Sequence, residues 1–343
     1  LTNRRPELEL FFASALLCAA MAWGADAGTS ATEARGGAAQ DGAQHSVAIT
    51  VDDLPGALPG DDFAYGELKE LQKINRGIPA ALQAHHAWAI GFVNERKLQV
   101  SAERDARVEL LQMWLQAGLT LGNHNFAHDD FSVTPLQKYE DDAIRGEVVT
   151  SALLKAAGQN EKYFRHPYLN TGMTMEAKTA FDAFLKDRGY TIAPVTIEDA
   201  DYVFNDALGH ALEKRDKKMA ARAKKEYLEY VDTVFDYAEK ESAEMFGRQI
   251  PQILLIHDNA LNTECLDALL EKLEKRGYKF VPLDTAMADA AYATPDLYVG
   301  TGILWMDRWK LALGQKLDLS KGPEPPSWAE QIFEEMRKER QKE

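Results

Sequence analysis

Two aspartates stand side by side at the end of the first strand-like run of this chain, Val47-Ala48-Ile49-Thr50-Val51-Asp52-Asp53. Further on, a second apolar run ends in Leu121-Gly122-Asn123-His124-Asn125-Phe126-Ala127-His128. One Asp together with the His-x-x-x-His pair makes three ligands for a divalent ion, which leaves positions open for water. The remaining Asp is then suited to take a proton from that water. On a helix, the two histidines would lie one turn apart on one face, within reach of one ion. Imidazole with carboxylate suits Zn²⁺, and Co²⁺, Fe²⁺, Ni²⁺ or Mn²⁺ accept the same donors. The chemistry such a set would suit is hydrolysis. Non-haem iron oxygenases use similar donors, but on all-β frames with a short His-x-Asp element; here strand and helix alternate.

The elements that must position these residues can be read from the apolar pattern. Seven short runs have strand character: residues 47–51, 88–93, 119–121, 163–164, 191–195, 253–256 and 280–283. Stretches of helical spacing lie between them, among them 107–117, 135–157, 175–188 and 263–276. Gly118, Gly158, Gly189 and Gly277 stand where helix C-termini should fall. Strand alternating with helix predicts a parallel arrangement, and this number of units favours a closed barrel over a doubly wound sheet. The polar residues of interest gather at the C-terminal ends of the runs: Asp52 and Asp53, His124 and His128, Arg165, Asp199 and Asp201, and His257. In α/β barrels that face carries the active site.

Residues 208–247 are long, highly charged and carry Tyr227, Val231, Val234, Phe235 and Ala238 at helical spacing. They predict one or two inserted helices packed on the barrel. The extension 291–343 holds Trp305, Trp309 and Trp328. It reads as a strap closing the barrel, with sugar stacking by one Trp as the alternative. His85, His86 and His210 have no evident partner and should face solvent.

The formal charge of −15 disfavours nucleic acid and anionic lipid as partners. The N-terminus has Arg4 and Arg5, an apolar run from Leu10 to Ala22, and small-residue cleavage patterns ending at Ala22 and Ala27. That run is too short to span a bilayer and suits a signal segment, residues 1–27. Export to the periplasm or beyond is expected, without membrane insertion after cleavage. Cleavage removes two basic and three acidic residues, leaving −14, and leaves Cys265 as the sole cysteine, so no intrachain disulfide is expected. Residues 28–45 read as a flexible leader.

With these residues in place, the chain resembles the polysaccharide deacetylases with a NodB homology domain, carbohydrate esterase family 4. The motif T-F-D-D appears as Thr50-Val51-Asp52-Asp53, and H-[ST]-x-x-H-P as His124-Asn125-Phe126-Ala127-His128-Asp129. R-x-P-[YF] is intact as Arg165-His166-Pro167-Tyr168. D-x-x-D-W appears as Glu198-Asp199-Ala200-Asp201-Tyr202, and the Leu-rich run ending in His as Leu254-Leu255-Ile256-His257-Asp258. The five occur in order within residues 46–290, the expected domain.

The resemblance implies a distorted (β/α) barrel and metal-dependent removal of acetyl groups from N- or O-acetylated glycans. It implies Asp53, His124 and His128 as metal ligands and Asp52 as general base. His257 would be the general acid, with Arg165 orienting Asp52 and Asp201 orienting His257. Tyr168 would lend its backbone N–H to the oxyanion. Asp199 and Asp258 read as structural, and His166, at a variable motif position, as at most a substrate-subsite residue. Asn125, Asp129, Tyr202 and Leu54-Pro55 depart from the family pattern without removing a ligand, base or acid. Two alternatives are a hydrolase of a small amide or imide on the same barrel, and a non-catalytic glycan-binding protein.

Overall fold

The computed structural model describes residues 45–58, 66–160 and 162–340. The expected signal segment, and the expected leader up to residue 44, lie outside them. In chain order the elements are β1 (Ser46–Leu54), α1 (Leu68–Ala84), β2 (Ala89–Val93), α2 (Arg104–Gln116), β3 (Thr120–Asn123), α3 (Leu136–Arg145), α4 (Val148–Ala156) and β4 (Lys162–Phe164). There follow α5 (Met175–Asp187), β5 (Tyr190–Ile192), β6 (Ile197–Glu198), α6 (Asp201–Glu213), α7 (Lys217–Phe246), β7 (Gln252–His257), α8 (Ala260–Lys275) and β8 (Lys279–Phe280). The last are α9 (Leu283–Met287), α10 (Trp305–Ala312) and α11 (Ser327–Arg340).

Strand β1 is buried from Val47 onward because it lies at the centre of the sheet and is covered on both faces. A strand buried in this way reads as a continuous apolar run rather than an alternation. The hydrogen-bonded path runs β5-β4-β3-β2-β1-β7-β6, with β8 paired to the start of β1, and every pairing is parallel. The C-terminal ends of these strands therefore open on one edge.

The closed barrel expected from the unit count is a distorted, incompletely closed one. The run at 191–195 is strand only in β5, which ends at Ile192; β6 starts at Ile197, with Pro194 between them. Proline has no N–H to give to a ladder, and no β5–β6 pairing exists among the described residues. The C-terminal extension meets this opening, where the Trp305 amide donates to the Val195 carbonyl at 2.8 Å. The strap expectation is thus met at one definite place.

The helical run at 135–157 breaks into α3 and α4 at Gly146. A Cβ on Gly146 would stand 2.8 Å from the Phe126 nitrogen, so the corner packs directly on the loop that carries the histidines. The stretch expected at 208–247 is α6 and α7, and α6 begins earlier, at Asp201. The buried face of α7 includes Ala223, Tyr227, Val231, Val234, Phe235 and Ala238, as its spacing predicts. Phe235 meets the Tyr278 ring edge-on at 5.0 Å. Asp216 caps its N-terminus, and Gly247, at φ 68°, ends it. Phe235→Ala should therefore cost about 3–5 kcal/mol, read as a lower denaturant midpoint with an unchanged slope. A change below about 1 kcal/mol would mean that α7 is not part of the main core.

Trp305 and Trp309 are buried. Trp328 donates to Glu226 at 2.6 Å and lies under the Arg222 guanidinium. Trp305 and Trp309 thus pack inside the fold, which sets them aside as sugar-stacking residues, while Trp328 is half-buried against α7. His85 is also corrected: it faces Glu274 at 3.0 Å and Asp267 at 3.2 Å on α8. Among the described residues no helix is long and apolar enough to cross a membrane.

Candidate active site

The structure brings Asp53, His124 and His128 together, all buried, with one donor atom of each within 4.8 Å of the others. Asp53 is the penultimate residue of β1 and His124 follows β3, two strands away in the sheet. His124 Nε2 lies 3.7 Å from Asp53 Oδ1, and His128 Nε2 lies 3.5 Å from the same oxygen. These separations are too long for hydrogen bonds. Asp53 Oδ1 indeed has no hydrogen-bond partner, although it is buried. Donors about 2.0–2.1 Å from a tetrahedral ion are spaced about 3.3 Å apart, close to what is seen.

The ring states fit as well. His124 Nδ1 lies 2.9 Å from the Arg165 carbonyl, which can only accept, so Nδ1 carries the proton and the Nε2 lone pair faces Asp53. Burial pushes the His128 pKa down to about 3, against the pull of the Asp53 carboxylate, and burial lowers that of His124 too. Both imidazoles are then neutral near pH 7, the form that binds metal. For Asp53 burial works the other way, but the Lys97 ammonium, the foremost neighbouring charge, holds its carboxyl well below the usual range. One carboxylate and two neutral imidazoles are a donor set that fits a divalent ion.

The histidine pair is not on a helix, as the spacing allowed, but in a loop. Asn125 and His128 have φ of 63° and 59°. Asn94 Nδ2 donates to the His124 carbonyl at 2.7 Å, Asn123 Oδ1 accepts from the Asn125 amide at 2.8 Å, and Asp142 Oδ2 accepts from the Ala127 amide at 2.9 Å. Of the nine non-glycine residues with positive φ among those described, six stand in these strand-end loops: Asp53, Asn125, His128, Tyr168, Leu169 and Ala200. Such strain collects where surrounding contacts over-determine a functional geometry.

Lys97 was not singled out from the sequence. It is buried, donates to the Asp53 and Gly56 carbonyls at 3.1 Å each, and sits 3.7 Å from Asp53 Oδ1. It fixes the backbone where Asp53 takes its left-handed turn. Only its position in a lysine-bearing 3-10 turn after β2 hinted at it.

Asp52 is buried, with Oδ2 at 3.6 Å from His124 Nε2 and Oδ1 without a hydrogen bond. It stands opposite His257 in the β1–β7 ladder. His257 Nδ1 meets Asp201 Oδ1 at 2.6 Å. Asp201 Oδ2 accepts from the His257 amide at 2.7 Å, from Asn259 Nδ2 at 2.9 Å, and from Asn262 Nδ2. This frame leaves Nε2 free, and 19% of the His257 side chain is open to solvent. Burial opposes an imidazolium here, but the Asp201 charge and its hydrogen bond raise the His257 pKa well above its ordinary value.

Asp201 is the first residue of α6, with Ala200 at the cap position. Behind it, burial and then the Asp201 charge push Asp199 well above the carboxylate range and Glu198 up to about 7. Tyr227 donates to Asp199 at 2.8 Å. Asp258 is buried too, its pKa pushed up to about 8 by that burial.

Arg165, fully buried, does not touch Asp52: no ion pair joins them within 4.0 Å. Its Nη2 donates to Thr50 Oγ1 at 2.8 Å, two residues before Asp52 on β1. Burial lowers the Arg165 pKa, and the nearby Asp52 charge opposes that. His166 is buried in an aromatic cluster, stacked with Tyr139 and Phe131. It has no route to a substrate, which corrects the subsite expectation. Tyr168 is 42% exposed, its ring 4.5 Å from that of His128. Tyr202, 40% exposed, lies edge-on to His257 at 5.8 Å and to Phe333 of α11 at 5.3 Å.

The polysaccharide deacetylase family matches residues 39–185. The matched segment holds Asp52, Asp53, His124, His128, Arg165 and Tyr168, while Asp201 and His257 lie beyond it. Among solved structures, the chain is similar to a family 4 pseudoenzyme from Bacillus anthracis, at 17% identity over 72% of this chain and 66% of that one, with a TM-score of 0.46. It is also similar to a family 4 carbohydrate esterase from Streptomyces lividans in complex with acetate, at 16% identity over 71% and 96%, TM-score 0.44. A third is the peptidoglycan deacetylase PdaC from Bacillus subtilis, at 17% identity over 71% and 91%, TM-score 0.44. No curated protein matches the chain.

Proposed function

We propose that the chain is a metal-dependent hydrolase that removes acetyl groups from an N- or O-acetylated glycan. The observation that carries this reading is the convergence of both imidazole Nε2 atoms on Asp53 Oδ1, with a second carboxylate beside them and His257, held by Asp201, at the end of the adjacent strand. Asp53, His124 and His128 would hold the ion, with Zn²⁺ best suited to the donors. Such an ion polarises a carbonyl and acidifies a water.

Asp52 would accept the proton of the attacking water at a carboxylate oxygen. The tetrahedral oxyanion on the acetyl carbon would receive the Tyr168 N–H. His257 would then give the Nε2 proton to the departing amine or alcohol, and Asp201 would hold the ring and its charge. Arg165 would act as a positioning residue for β1. The turn carrying Tyr168 and the first turn of α6 carrying Tyr202 would form rims of a substrate groove. Residues 46–290 would form the catalytic domain, and the apolar run near the N-terminus supports export to the periplasm or beyond.

The test is acetate release from a panel of acetylated glycans (peptidoglycan, chitin oligomers, xylan and an exopolysaccharide) by protein loaded with Zn²⁺, Co²⁺ or Mn²⁺. About one ion per chain is expected, with release abolished by chelator and restored by metal. Turnover of small amides without any glycan turnover would favour the small-amide reading. Glycan binding without turnover by the metal-loaded protein would favour the binding-protein reading.

A further inference from the structure

The C-terminal extension does more than cover the opening between β5 and β6. It grips the 3-10 turn that carries Tyr168. Tyr168 and Leu169 are consecutive non-glycine residues in the left-handed region, at φ 54° and 55°. Side chains disfavour that region, so the turn needs outside contacts to hold it. On the His128 side, Asn170 Nδ2 donates to Asp130 at 2.5 Å. On the other side the contacts come from the extension.

Arg308, on α10, is fully buried. Its Nη2 donates to the Leu169 carbonyl, and its Nη1 donates to Thr171 Oγ1 at 2.9 Å and to Asp296 Oδ2 at 3.0 Å. Its Nε donates to the Ile303 carbonyl at 2.9 Å, and the guanidinium lies 4.0 Å over the Trp305 ring. Lys178 Nζ joins the same group, donating to Asp296 Oδ2 at 2.5 Å and to Thr171 Oγ1 at 3.1 Å. Burying a guanidinium is costly unless its donors are met, and here they are met by the turn and the strap together. Gly302 completes the grip. A Cβ there would stand 1.8 Å from the Tyr168 carbonyl oxygen, so the strap backbone rests directly on that peptide group. Gly300 also donates to the Gly172 carbonyl at 3.3 Å.

We propose that Arg308, backed by Gly302, is a positioning residue that locks the Tyr168–Leu169 backbone in its left-handed form and so presents the Tyr168 N–H to the reacting acetyl group. The importance of that N–H rests on the function proposed above; the locking itself does not. The C-terminal extension is thereby a working part of the site rather than a separate appendage. A lysine in place of Arg308 keeps the charge but lacks the planar fork that reaches Leu169, Thr171 and Asp296 at once.

The experiment uses the full-length, metal-loaded protein with Arg308→Lys and, separately, Gly302→Ala. Amide hydrogen exchange over residues 166–172 should speed up by at least about tenfold in both, with the rest of the sheet unchanged and metal content unaltered. Turnover of an N-acetylated glycan should fall by about tenfold or more in kcat, with KM changed by less than about threefold. Wild-type exchange in both variants would overturn the proposal. So would a loss of kcat without faster exchange, which would mean that Arg308 acts elsewhere. If Arg308→Lys fails to fold, Gly302→Ala decides alone, because it leaves every charge in place. Should the wild-type chain release no acetate, the proposed function falls, while the exchange measurement still tests the lock.

Discussion

Asp52→Asn should keep the metal and lose about 10²- to 10⁴-fold in turnover. The two neighbouring carboxylates are chemically alike, and only their surroundings separate them. Asp53 Oδ1 is the oxygen that both imidazoles face, at 3.7 and 3.5 Å. Asp52 approaches only His124, at 3.6 Å through Oδ2, and keeps Oδ1 unbonded. Amidation of Asp52 removes a base and leaves the three ligands intact. Amidation of Asp53 removes the anion from among Lys97, His124 and His128, so Asp53→Asn should bind metal much more weakly. Elemental analysis of both variants, beside their turnover, gives the answer. Loss of metal from Asp52→Asn with retention by Asp53→Asn would reverse the roles.

His257→Ala should damage N-deacetylation by about 10²- to 10⁴-fold and spare nitrophenyl acetate. An amine leaves only when protonated, whereas nitrophenolate leaves without a proton. Metal content should not change, because His257 is not among the three converging ligands. The pH profile carries the same information. Burial disfavours the imidazolium, but Asp201 outweighs it, and the His257 pKa lies well above its ordinary 6.5. The charged, proton-donating form is therefore present at and below neutral pH, and it is lost as pH rises through that raised pKa. N-deacetylation should show an alkaline limb that nitrophenyl acetate lacks, and Asp201→Asn should move that limb toward acid. Equal loss on both substrates with metal retained would remove the general-acid role from His257.

The site was legible in the sequence to the extent that chemistry depends on residue type and on strand ends. Asp52-Asp53, His124, His128 and His257 each close a short apolar run, and parallel strands put those ends on one edge. Roles that depend on which oxygen faces which nitrogen were not legible. Asp52 and Asp53 became distinguishable only through distances to rings from other strands. The His-x-x-x-His spacing fits a helical turn equally well. Its loop form follows from Asn94, Asn123 and Asp142, which bind that backbone from just after β2, from β3 and from α3. Arg165 reaches Thr50 instead of Asp52 for the same kind of reason: its reach is set by how β4 and β1 lie in the sheet.

By itself the sequence determined the alternation of strand and helix, the order of the five motifs and the helical face of α7, because each is a local pattern of apolar spacing or residue identity. Tertiary structure alone decided that the barrel stays open between β5 and β6, that Lys97 stands beside Asp53, that His166 is buried among aromatic rings, and that Arg308 holds the turn carrying Tyr168. These depend on contacts between groups far apart in the chain, such as Arg308 with Leu169. The surface charge pattern of a segment carries no record of which distant backbone it will meet.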